Sequence, residues 1–368
     1  MTHPRHTRLV ESLPATVPFI GPEEQERERG AAFTARLGAN ENLFGPSVHA
    51  IRAMREAVGE VWMYADATSH DLRCALARLT GCEARNIVVG EGIDGLLGNL
   101  IRLLVAPGDA VVTSDGAYPT VNYHVAGFGG ALHKVPYKDD HEDLDALIER
   151  AGQVGAKLIY LANPDNPMGT WLRGARIAQA LDHLPGGCLL CLDEAYFEFA
   201  PCEALAPVAP DDPRMIRMRT FSKAYGMAGA RIGYALGAAP LIASFNRIRN
   251  HFGVNRIAQA GALAALQDSA WLDETRAKVA RARREITLIA RENGLAALPS
   301  AANFVAVDCG SDGAFARRVL NGLVARGVFV RMPFVAPQDR CIRISCGRER
   351  DLAVLAEALP GALADARR

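Results

Sequence analysis

Lysine is scarce in this chain of 368 residues. Lys and Arg together number 41, yet only five are lysines, at positions 134, 138, 157, 223 and 278. One of them, Lys223, lies inside a run of small and aromatic residues, RTFSKAYGMAGARIGY (219–234). A lysine amine can lose its proton near neutral pH when it is desolvated, whereas an arginine stays charged. The position of Lys223 therefore marks it as a candidate nucleophile.

The chain also lacks net charge and long apolar runs. Its 41 basic and 41 acidic residues cancel, so the bulk charge favours neither a nucleic-acid nor an anionic-membrane partner. No apolar run approaches the ~20 residues of a membrane span. The first residues do not contain the apolar stretch of a secretory signal. We therefore expect a cytoplasmic protein that binds neither nucleic acid nor membrane.

Closely spaced cysteines are few as well. Of the eight cysteines, only Cys188 and Cys191 are near each other in sequence, as CLLC inside an apolar run. A metal site there would need a second pair of ligands, and no nearby Cys or His pair supplies it. We expect buried free thiols in a reducing compartment and no metal.

Short apolar runs alternate with helical patterns from about residue 86 onward. The runs that we predict as strands are NIVVG, DAVVTSD, LHKVPY, KLIYLANP, CLLCLDEAY and MIRMRTF. This alternation predicts an α/β fold with a mostly parallel sheet, buried on both faces by helices. RIGYALG (231–237) follows MIRMRTF after a loop that is too short for a parallel crossover, so we expect that strand to run antiparallel.

Changes in composition and in the pattern of apolar residues divide the chain into three predicted segments. Residues 1–45 look irregular and form an arm. Residues 46–250 contain the predicted sheet and form a large domain. Residues 251–368 begin with a long charged helical pattern and form a smaller α+β domain.

Two polar stretches follow predicted strands, and ligands of open α/β sheets bind beyond the carboxyl ends of the strands. GEGIDGLL (90–97) opens a helix whose free amides would favour a phosphate, although a plain strand-to-helix turn is the alternative. NPDNPMG (163–169) makes a rigid turn, which either has no further role or presents the amide of Asn166 to a ligand.

Two further stretches place ionisable groups at strand ends. Asp193 ends an apolar strand, and a buried carboxylate needs a partner, either a structural Arg or a protonated ligand nitrogen. Tyr196 is close enough in sequence to reach the same site. Ser222 and Lys223 end the next strand, and Arg231 follows a Gly/Ala-rich loop that lets backbone approach a ligand. A desolvated lysine near cations is a good Schiff-base nucleophile, whereas a surface lysine fits poorly among these neighbours.

Phosphate donors, a carboxylate for a ring nitrogen, donors for a phenolic oxygen and an imine-forming lysine together describe pyridoxal 5′-phosphate (PLP). With these residues the chain resembles the class I/II aminotransferases of fold type I, and most closely the histidinol-phosphate aminotransferase family. The resemblance runs from about residue 36 to the C-terminus. It rests on ten stretches in family order: LGANENLFGPS, YADATSHDLR, NIVVGEGID, DGAYPTV, NPDNPMGT, LDEAYFEF, RTFSKAYGMAGARIGY, NFVAVD, VFVRMP and CIRISCG.

The resemblance implies a role for each residue that matches a family motif. Lys223 would form the Schiff base with PLP and move a proton during the reaction. Asp193 would keep the pyridine nitrogen protonated, and Tyr196 and Asn166 would bond the phenolic oxygen. Tyr118 would stack on the ring. The cofactor phosphate would be bound by Ser222, Arg231 and the backbone amides of Ile93 and Asp94.

The resemblance also implies substrate contacts. Arg343 would pair with the substrate α-carboxylate, since a guanidinium fork suits that geometry. Arg331 would meet a substrate phosphate or side chain. Asn40 and Glu41 would line the entrance, and Tyr64 would reach across a homodimer to the neighbouring active site.

Three departures from the family pattern bear on the pocket. The usual G-x-G-S-D-E is GEGIDG here, so Ile93 replaces a hydroxyl that often touches the cofactor phosphate. Y-P-D has Ala65 in the middle, and N-E-N-P-Y-G-P has Leu43 and Phe44. These changes leave the PLP chemistry intact and make the substrate harder to assign.

We therefore expect a homodimeric PLP-dependent aminotransferase whose 1–45 arm packs with the small domain and the partner subunit. It would serve histidine biosynthesis by moving the amino group of an L-amino acid or amine, L-histidinol phosphate first, to 2-oxoglutarate in a ping-pong reaction. An aminotransferase for aromatic or other L-amino acids and a threonine-phosphate-type PLP decarboxylase are alternatives on the same scaffold. A non-enzymatic regulator would carry an added DNA-binding domain, for which the stretch before residue 45 leaves no room.

Overall fold

The computed structural model describes residues 5–15 and 19–368. Its strands are β1 (Ala35–Arg36), β2 (Ile87–Gly90), β3 (Ala110–Ser114), β4 (Ala131–Val135), β5 (Leu158–Ala162), β6 (Leu189–Asp193), β7 (Met215–Thr220), β8 (Gly233–Leu236), β9 (Ala296–Ala297), β10 (Phe304–Asp308), β11 (Val328–Phe329) and β12 (Cys341–Ser345). Its α-helices are α1 (Arg8–Ser12), α2 (Pro22–Arg29), α3 (Val48–Val58), α4 (His70–Thr80), α5 (Gly92–Leu104), α6 (Thr120–Gly127), α7 (Leu144–Val154), α8 (Gly174–Ala180), α9 (Ala239–Ser244), α10 (Arg256–Gln267), α11 (Ser269–Glu292), α12 (Gly313–Ala325) and α13 (Glu349–Ala366).

A seven-stranded sheet forms the centre of the molecule, in the order β2-β8-β7-β6-β5-β3-β4. Strands β3 to β7 run parallel to one another. Strand β8 runs antiparallel to both β7 and β2. The predicted α/β fold and the predicted antiparallel strand are therefore both confirmed.

The central strands are mostly apolar because both faces of the sheet are covered. Along β5, Leu158 and Tyr160 join one buried cluster, and Ile159 and Leu161 join another. Neighbouring side chains of a strand point to opposite faces, so each strand supplies both clusters in turn. The polar residues at the strand ends are left to face the same edge of the sheet.

The two neighbouring cysteines follow the same alternation. Cys188 packs in one of these clusters and Cys191 in the other, and both are buried free thiols. Burial raises the pKa of both thiols above the ordinary value. Their side chains therefore belong to opposite faces of the sheet and do not form one ligand pair.

A second, smaller sheet has the order β12-β10-β9, and its strands are antiparallel. Helices α11, α12 and α13 pack with it around a separate apolar core. Strand β1 pairs in parallel with β11 and so joins the N-terminal region to this unit. The division at residues 45 and 250 stays a prediction.

The prediction that residues 1–45 are irregular is wrong at α1, at β1 and above all at α2. This helix begins at Pro22 and ends before Gly30, which adopts φ 68° as its cap. Only Pro22 in it is buried, so it lacks the apolar stripe by which helices are recognised in a sequence. Residues 1–4 and 16–18 of the predicted arm lie outside the described residues. None of the helices in the described ranges is both long and apolar enough to span a membrane.

Candidate active site

The candidate site lies at the carboxyl edge of the central sheet, where the loops after β5, β6 and β7 meet the N-terminus of α5. Asn166, Asp193 and Lys223 follow or end these three strands. Parallel neighbours end at the same edge, so the fold alone brings these residues together.

Lys223 is half-buried, and its amine binds to the main chain. Nζ donates a hydrogen bond of 3.1 Å to the carbonyl oxygen of Asn40. It also lies 5.6 Å from the centre of the Tyr196 ring. Loss of solvation, and then the positive charge of Arg343, lower the pKa of the amine to about 8. A substantial fraction of the amine is therefore neutral near physiological pH, as a nucleophile requires.

Asp193 is buried at the end of β6, with 4% of its surface exposed. Its carboxylate accepts hydrogen bonds from the Tyr160 hydroxyl (2.7 Å) and the Ala195 amide (2.9 Å). Burial raises its pKa to about 6. Among the described residues no Lys, Arg or His forms an ion pair with Asp193. In this part of the chain Asp193 therefore forms no ion pair with a structural arginine, and its role towards a ligand nitrogen stays a prediction.

Tyr160 was missed in the sequence, although it belongs to the site. It lies in β5 beside Cys191 of β6, and its side chain is fully buried. A buried tyrosine hydroxyl needs a hydrogen-bond partner. The signal was therefore a tyrosine in the apolar run that precedes the Asp193 strand.

Tyr196 and Asn40 form the side of the site towards the small sheet. The Tyr196 hydroxyl accepts a hydrogen bond of 3.1 Å from Asn40 Nδ2, and its ring contacts Phe304 edge-on at 5.4 Å. Asn40 is buried, with φ 53°, and its carbonyl also accepts a hydrogen bond from Asn303. Asn40 therefore contacts Lys223 and Tyr196 directly, and Asn303 is a supporting residue that the sequence did not reveal.

The N-terminus of α5 forms an open cradle with the loop that contains Arg231. Gly92 has φ 77°, and a Cβ atom there would lie 2.6 Å from Arg231 Nη2. Arg231 Nη1 lies 3.5 Å from Ser222 Oγ, and Arg231 Nη2 lies 3.4 Å from Asp94 Oδ2. A helix N-terminus with an adjacent guanidinium favours a bound anion.

Ile93 contributes backbone rather than side chain at this position. Its side chain is buried in one of the apolar clusters of the central sheet. Where the resemblance leads us to expect a hydroxyl, this chain therefore has a side chain that packs in the core. The backbone of residue 93 still lies in the first turn of α5.

Tyr118 lies against the same helix end. Its hydroxyl donates a hydrogen bond of 2.8 Å to Asp94 Oδ1. Burial, and then the charge of Asp94, raise the pKa of the phenol. The ring is partly packed on the core cluster of the sheet.

Arg343 and Arg331 lie beside each other on the small-sheet side. Their main chains exchange hydrogen bonds of 2.6 and 3.2 Å, and residues paired in this way present side chains to the same face. Arg343 Nη1 donates to Asn166 Oδ1. Arg331 stacks on the Phe19 ring, with 3.7 Å from Cζ to the ring centre, and donates to the Ile20 carbonyl. Burial lowers the pKa of both guanidiniums, to about 10 for Arg331.

Tyr64 lies elsewhere on the surface. Its ring stacks on Phe252 at 4.6 Å, and its carbonyl accepts a hydrogen bond from Arg256. In the described part of the chain none of its hydrogen bonds or ring contacts involves the residues of the site. Leu43 and Phe44 pack against the core of the smaller unit.

The comparisons with known proteins agree with one another. Residues 34–359 match the family model described as aminotransferase class I and II. The chain is 33% identical to the histidinol-phosphate aminotransferase of Moorella thermoacetica, over 99% of this chain and 94% of that protein. It is 36% identical to that of Anaeromyxobacter sp., over 95% of this chain and 98% of that protein. The histidinol-phosphate aminotransferase of Sinorhizobium meliloti, solved in complex with pyridoxal-5′-phosphate, is 52% identical, with a TM-score of 0.96 over 99% of this chain and 98% of that one.

Proposed function

The chain belongs to the class I and II aminotransferase family, and we propose that it uses PLP to transfer the amino group of L-histidinol phosphate to 2-oxoglutarate. The observation that carries this proposal is the half-buried Lys223 amine, with its lowered pKa of about 8, at the sheet edge that also holds Asp193. Support for the donor comes from the histidinol-phosphate aminotransferases to which the chain is similar along nearly its whole length.

The residues at the site fit this cofactor. Gly92 leaves room beside Arg231 and Ser222 for a phosphate at the N-terminus of α5. Asp193 is a buried carboxylate whose missing partner would be a protonated ring nitrogen. Tyr118 would lie along the ring face. When bound, PLP supplies an electron sink for negative charge at the substrate Cα.

The side chains around the cofactor would transfer protons and stabilise charge during the reaction. Lys223 Nζ, with a pKa of about 8, can accept the Cα proton and return it. Asp193 is held in place by Tyr160 and the Ala195 amide, so its carboxylate would bind a protonated ring nitrogen without side-chain reorganisation. Tyr196 and Asn166 would donate to the phenolic oxygen.

Two guanidiniums would bind the anionic groups of the substrates. L-Histidinol phosphate has no carboxylate, so its phosphate is the group available to Arg343 and Arg331. The α-carboxylate of 2-oxoglutarate would take the same place on Arg343 in the second half-reaction. A planar guanidinium binds either group through two parallel hydrogen bonds.

A half-reaction screen tests the proposed donor. The PLP-loaded protein is mixed with one amino donor at a time, and the loss of the visible absorption of the cofactor is recorded. L-Histidinol phosphate is expected to convert the cofactor fully, and phenylalanine poorly. Conversion by phenylalanine alone would make the enzyme an aromatic aminotransferase. Release of CO₂ from O-phospho-L-threonine would make it a decarboxylase, and a protein that never binds PLP would contradict the whole proposal.

We also propose that the enzyme is a homodimer whose subunits exchange Tyr64. The support is an exposed apolar patch formed by Val61, Trp62, Tyr64 and Phe252, with Trp62 79% and Tyr64 76% exposed. Monomeric proteins rarely leave so many large apolar side chains together in water. A cytoplasmic setting is part of the same proposal, and fractionation of cells that produce the protein would test it.

A further inference from the structure

A second polar cluster surrounds Asp165, the residue that precedes Asn166 in the chain. Its central groups are two carboxylates, Asp165 and Glu142, of which 2% and 3% of the surface is exposed. Asp165 Oδ1 accepts from the Tyr137 hydroxyl (2.8 Å), and Oδ2 accepts from the Met168 amide (2.9 Å). Both oxygens of the Asp165 carboxylate are thus held in place by hydrogen bonds.

Residues at the ends of two strands, β3 and β5, hold Glu142 in place. Its Oε2 accepts from the Ser114 hydroxyl at 2.6 Å, and its Oε1 accepts from the Ala162 amide at 2.8 Å. Among the described residues neither Glu142 nor Asp165 forms an ion pair with a Lys or Arg. Two buried carboxylates without a bound cation cannot both remain charged at low cost.

Arg343, by contrast, is a positive charge whose hydrogen bonds go to neutral groups. Its Nη1 is bound to Asn166, its Nη2 lies 3.4 Å from the Gly38 carbonyl, and its buried Nε has no partner in the described part of the chain. No carboxylate touches it there. Asp165 precedes Asn166 in the chain, and the charges of Asp165 and Arg343 act on each other's pKa. Asp165 therefore lies one residue from the side chain that binds the guanidinium, without an ion pair of its own to Arg343 among the described residues.

The titratable and charged groups that face the pair are Tyr137, His141, Asp193, Tyr196 and Arg343. Burial raises the pKa of Asp165 to about 7, with the charge of Arg343 opposing that rise. Burial and the charge of Asp165 raise the pKa of Glu142 well above its ordinary value. Burial thus makes it costly for both carboxylates of the pair to be charged at the same time.

We propose that Asp165 is the internal counter-charge of Arg343, and that the pair formed by Asp165 and Glu142 takes up one proton from solvent when a substrate anion binds to Arg343. The incoming anion neutralises the guanidinium and leaves the Asp165 carboxylate as excess negative charge in a buried region. A proton added to a carboxylate oxygen of the pair restores the balance, and no covalent bond to carbon changes. This inference rests on the proposed role of Arg343, and it makes Asp165 a positioning residue for both Asn166 and Arg343.

Calorimetry of the PLP-loaded protein measures this proton directly. The probe is 2-oxoglutarate without an amino donor. It has two carboxylates and no amine, so it can bind to the PLP-loaded protein without being transaminated. Titrations in two buffers of different ionisation enthalpy give the number of protons taken up per site. Uptake is expected to approach one proton at pH values above the Asp165 pKa of about 7 and to disappear at pH values well below it.

The variant Asp165→Asn is expected to bind 2-oxoglutarate without this uptake. The affinity of the wild-type protein should fall by up to about tenfold per pH unit above pH 7, which is the linkage for one proton, and the affinity of the variant should not. Asp71→Asn, which removes an exposed carboxylate from α4, is the control and should behave as wild type. Protonation at Lys223 would alter the visible absorption and would persist in Asp165→Asn, so it is counted separately.

The outcomes separate this inference from the proposed function. Binding of 2-oxoglutarate without buffer-dependent heat in the wild-type protein would overturn the inference and leave the proposed function intact. Failure of the PLP-loaded wild-type protein to bind 2-oxoglutarate at all would overturn both. If Asp165→Asn does not fold, the wild-type titrations still decide the question.

Discussion

Lys223 Nζ donates its hydrogen bond to the main-chain carbonyl of Asn40, a residue 183 positions earlier in the chain. This hydrogen bond joins the loop after β7 to the segment between β1 and α3. A main-chain carbonyl attracts the ammonium form but has no full negative charge. The lost solvation therefore prevails, and the pKa of the amine is lowered rather than raised.

Replacement of Lys223 by arginine should remove activity while the positive charge is kept. Arginine does not lose a proton at useful pH, so it can neither attack an aldehyde nor accept the Cα proton. We expect a loss in kcat of at least about 10²- to 10⁴-fold, the usual contribution of a positioned general base. Borohydride reduction followed by peptide mass analysis should find the cofactor on Lys223 in the wild-type protein.

The matched control for that variant is Lys157→Arg. Lys157 has a half-exposed side chain whose Nζ lies 3.7 Å from Asp109. The change keeps an exposed charge of a kind that contributes little to stability, so cofactor binding and kcat should be unchanged. Retention of cofactor by Lys223→Arg and its loss in Lys157→Arg would reverse the assignment.

The rate at which the cofactor-free protein binds PLP should level off at an unusually low pH. The neutral amine is the reactive form, and its fraction rises with pH until the pKa of about 8 is passed. Stopped-flow absorbance should therefore show a rate that rises up to about pH 8 and then flattens. An ordinary lysine, with a pKa near ~10.4, would keep gaining about tenfold per unit up to pH 10, and that result would contradict the desolvated amine.

Arg331 and Arg343 should both be needed for the preference for a phosphorylated donor. In Arg331→Lys and Arg343→Lys the guanidinium fork is lost and the charge is kept, and each hydrogen bond to a charged group contributes about 1.5–3 kcal/mol. The ratio of kcat/KM for L-histidinol phosphate to that for L-histidinol should fall by roughly 10- to 100-fold. Arg343→Lys should also weaken the binding of 2-oxoglutarate. A variant of Arg343 with unchanged constants for both substrates would remove this residue from the substrate site.

Two inactive variants should restore activity when they are mixed. Lys223→Ala and Tyr64→Ala each disable a different part of the proposed shared site. In a mixed dimer one site would combine an intact Lys223 with the partner's Tyr64, so an equal mixture should recover about a quarter of wild-type activity. No recovery after subunit exchange, verified by mass measurement of mixed dimers, would rule out the exchange of Tyr64.

Glu198→Gln should stabilise the protein, and increasingly so as pH rises. Glu198 is buried, neither carboxylate oxygen has a hydrogen-bond partner in the described part of the chain, and burial raises its pKa to about 8. Between the unfolded pKa of ~4.3 and the folded value, the native state binds more protons than the unfolded state, so stability falls as pH rises. The advantage of glutamine should grow by up to about 1.4 kcal/mol per pH unit in that window. Denaturation midpoints of both proteins at pH 5 and pH 8 measure it, and parallel changes would refute it.

The sheet was predictable because its strands are short, apolar and separated by helical patterns. Even the direction of β8 followed from the length of one loop. Helix α2 was not predictable, since nearly all of its side chains face water and its sequence lacks apolar periodicity. The pairing of β1 with β11 was equally hidden, because two residues carry no pattern and their partners lie about 290 positions later.

The residues at strand ends were predictable as a set, since chain order places them at one edge of a sheet. Their supports were not. Tyr160 bonds to Asp193 from within a strand, Asn303 bonds to Asn40 from the residue before another strand, and Asp165 precedes Asn166 in a turn. Each looks like ordinary structure in the sequence, and only the folded chain shows which polar atoms they satisfy. The resemblance to known proteins assigned roles to Arg343 and Asn166, but it did not show that the two bind each other.

The order of the sheet has a consequence for synthesis on the ribosome. Strand β2 lies at one edge and pairs with β8, whose residues are made about 150 positions later. At typical translation rates the apolar β2 waits roughly 10–30 s for its only partner in the described sheet. During that interval its open edge can pair with other nascent chains. Chaperones that act on nascent chains should therefore matter most while residues 90–236 are emerging. A translational pause placed before β8 should lower the yield of soluble protein more than one placed after it.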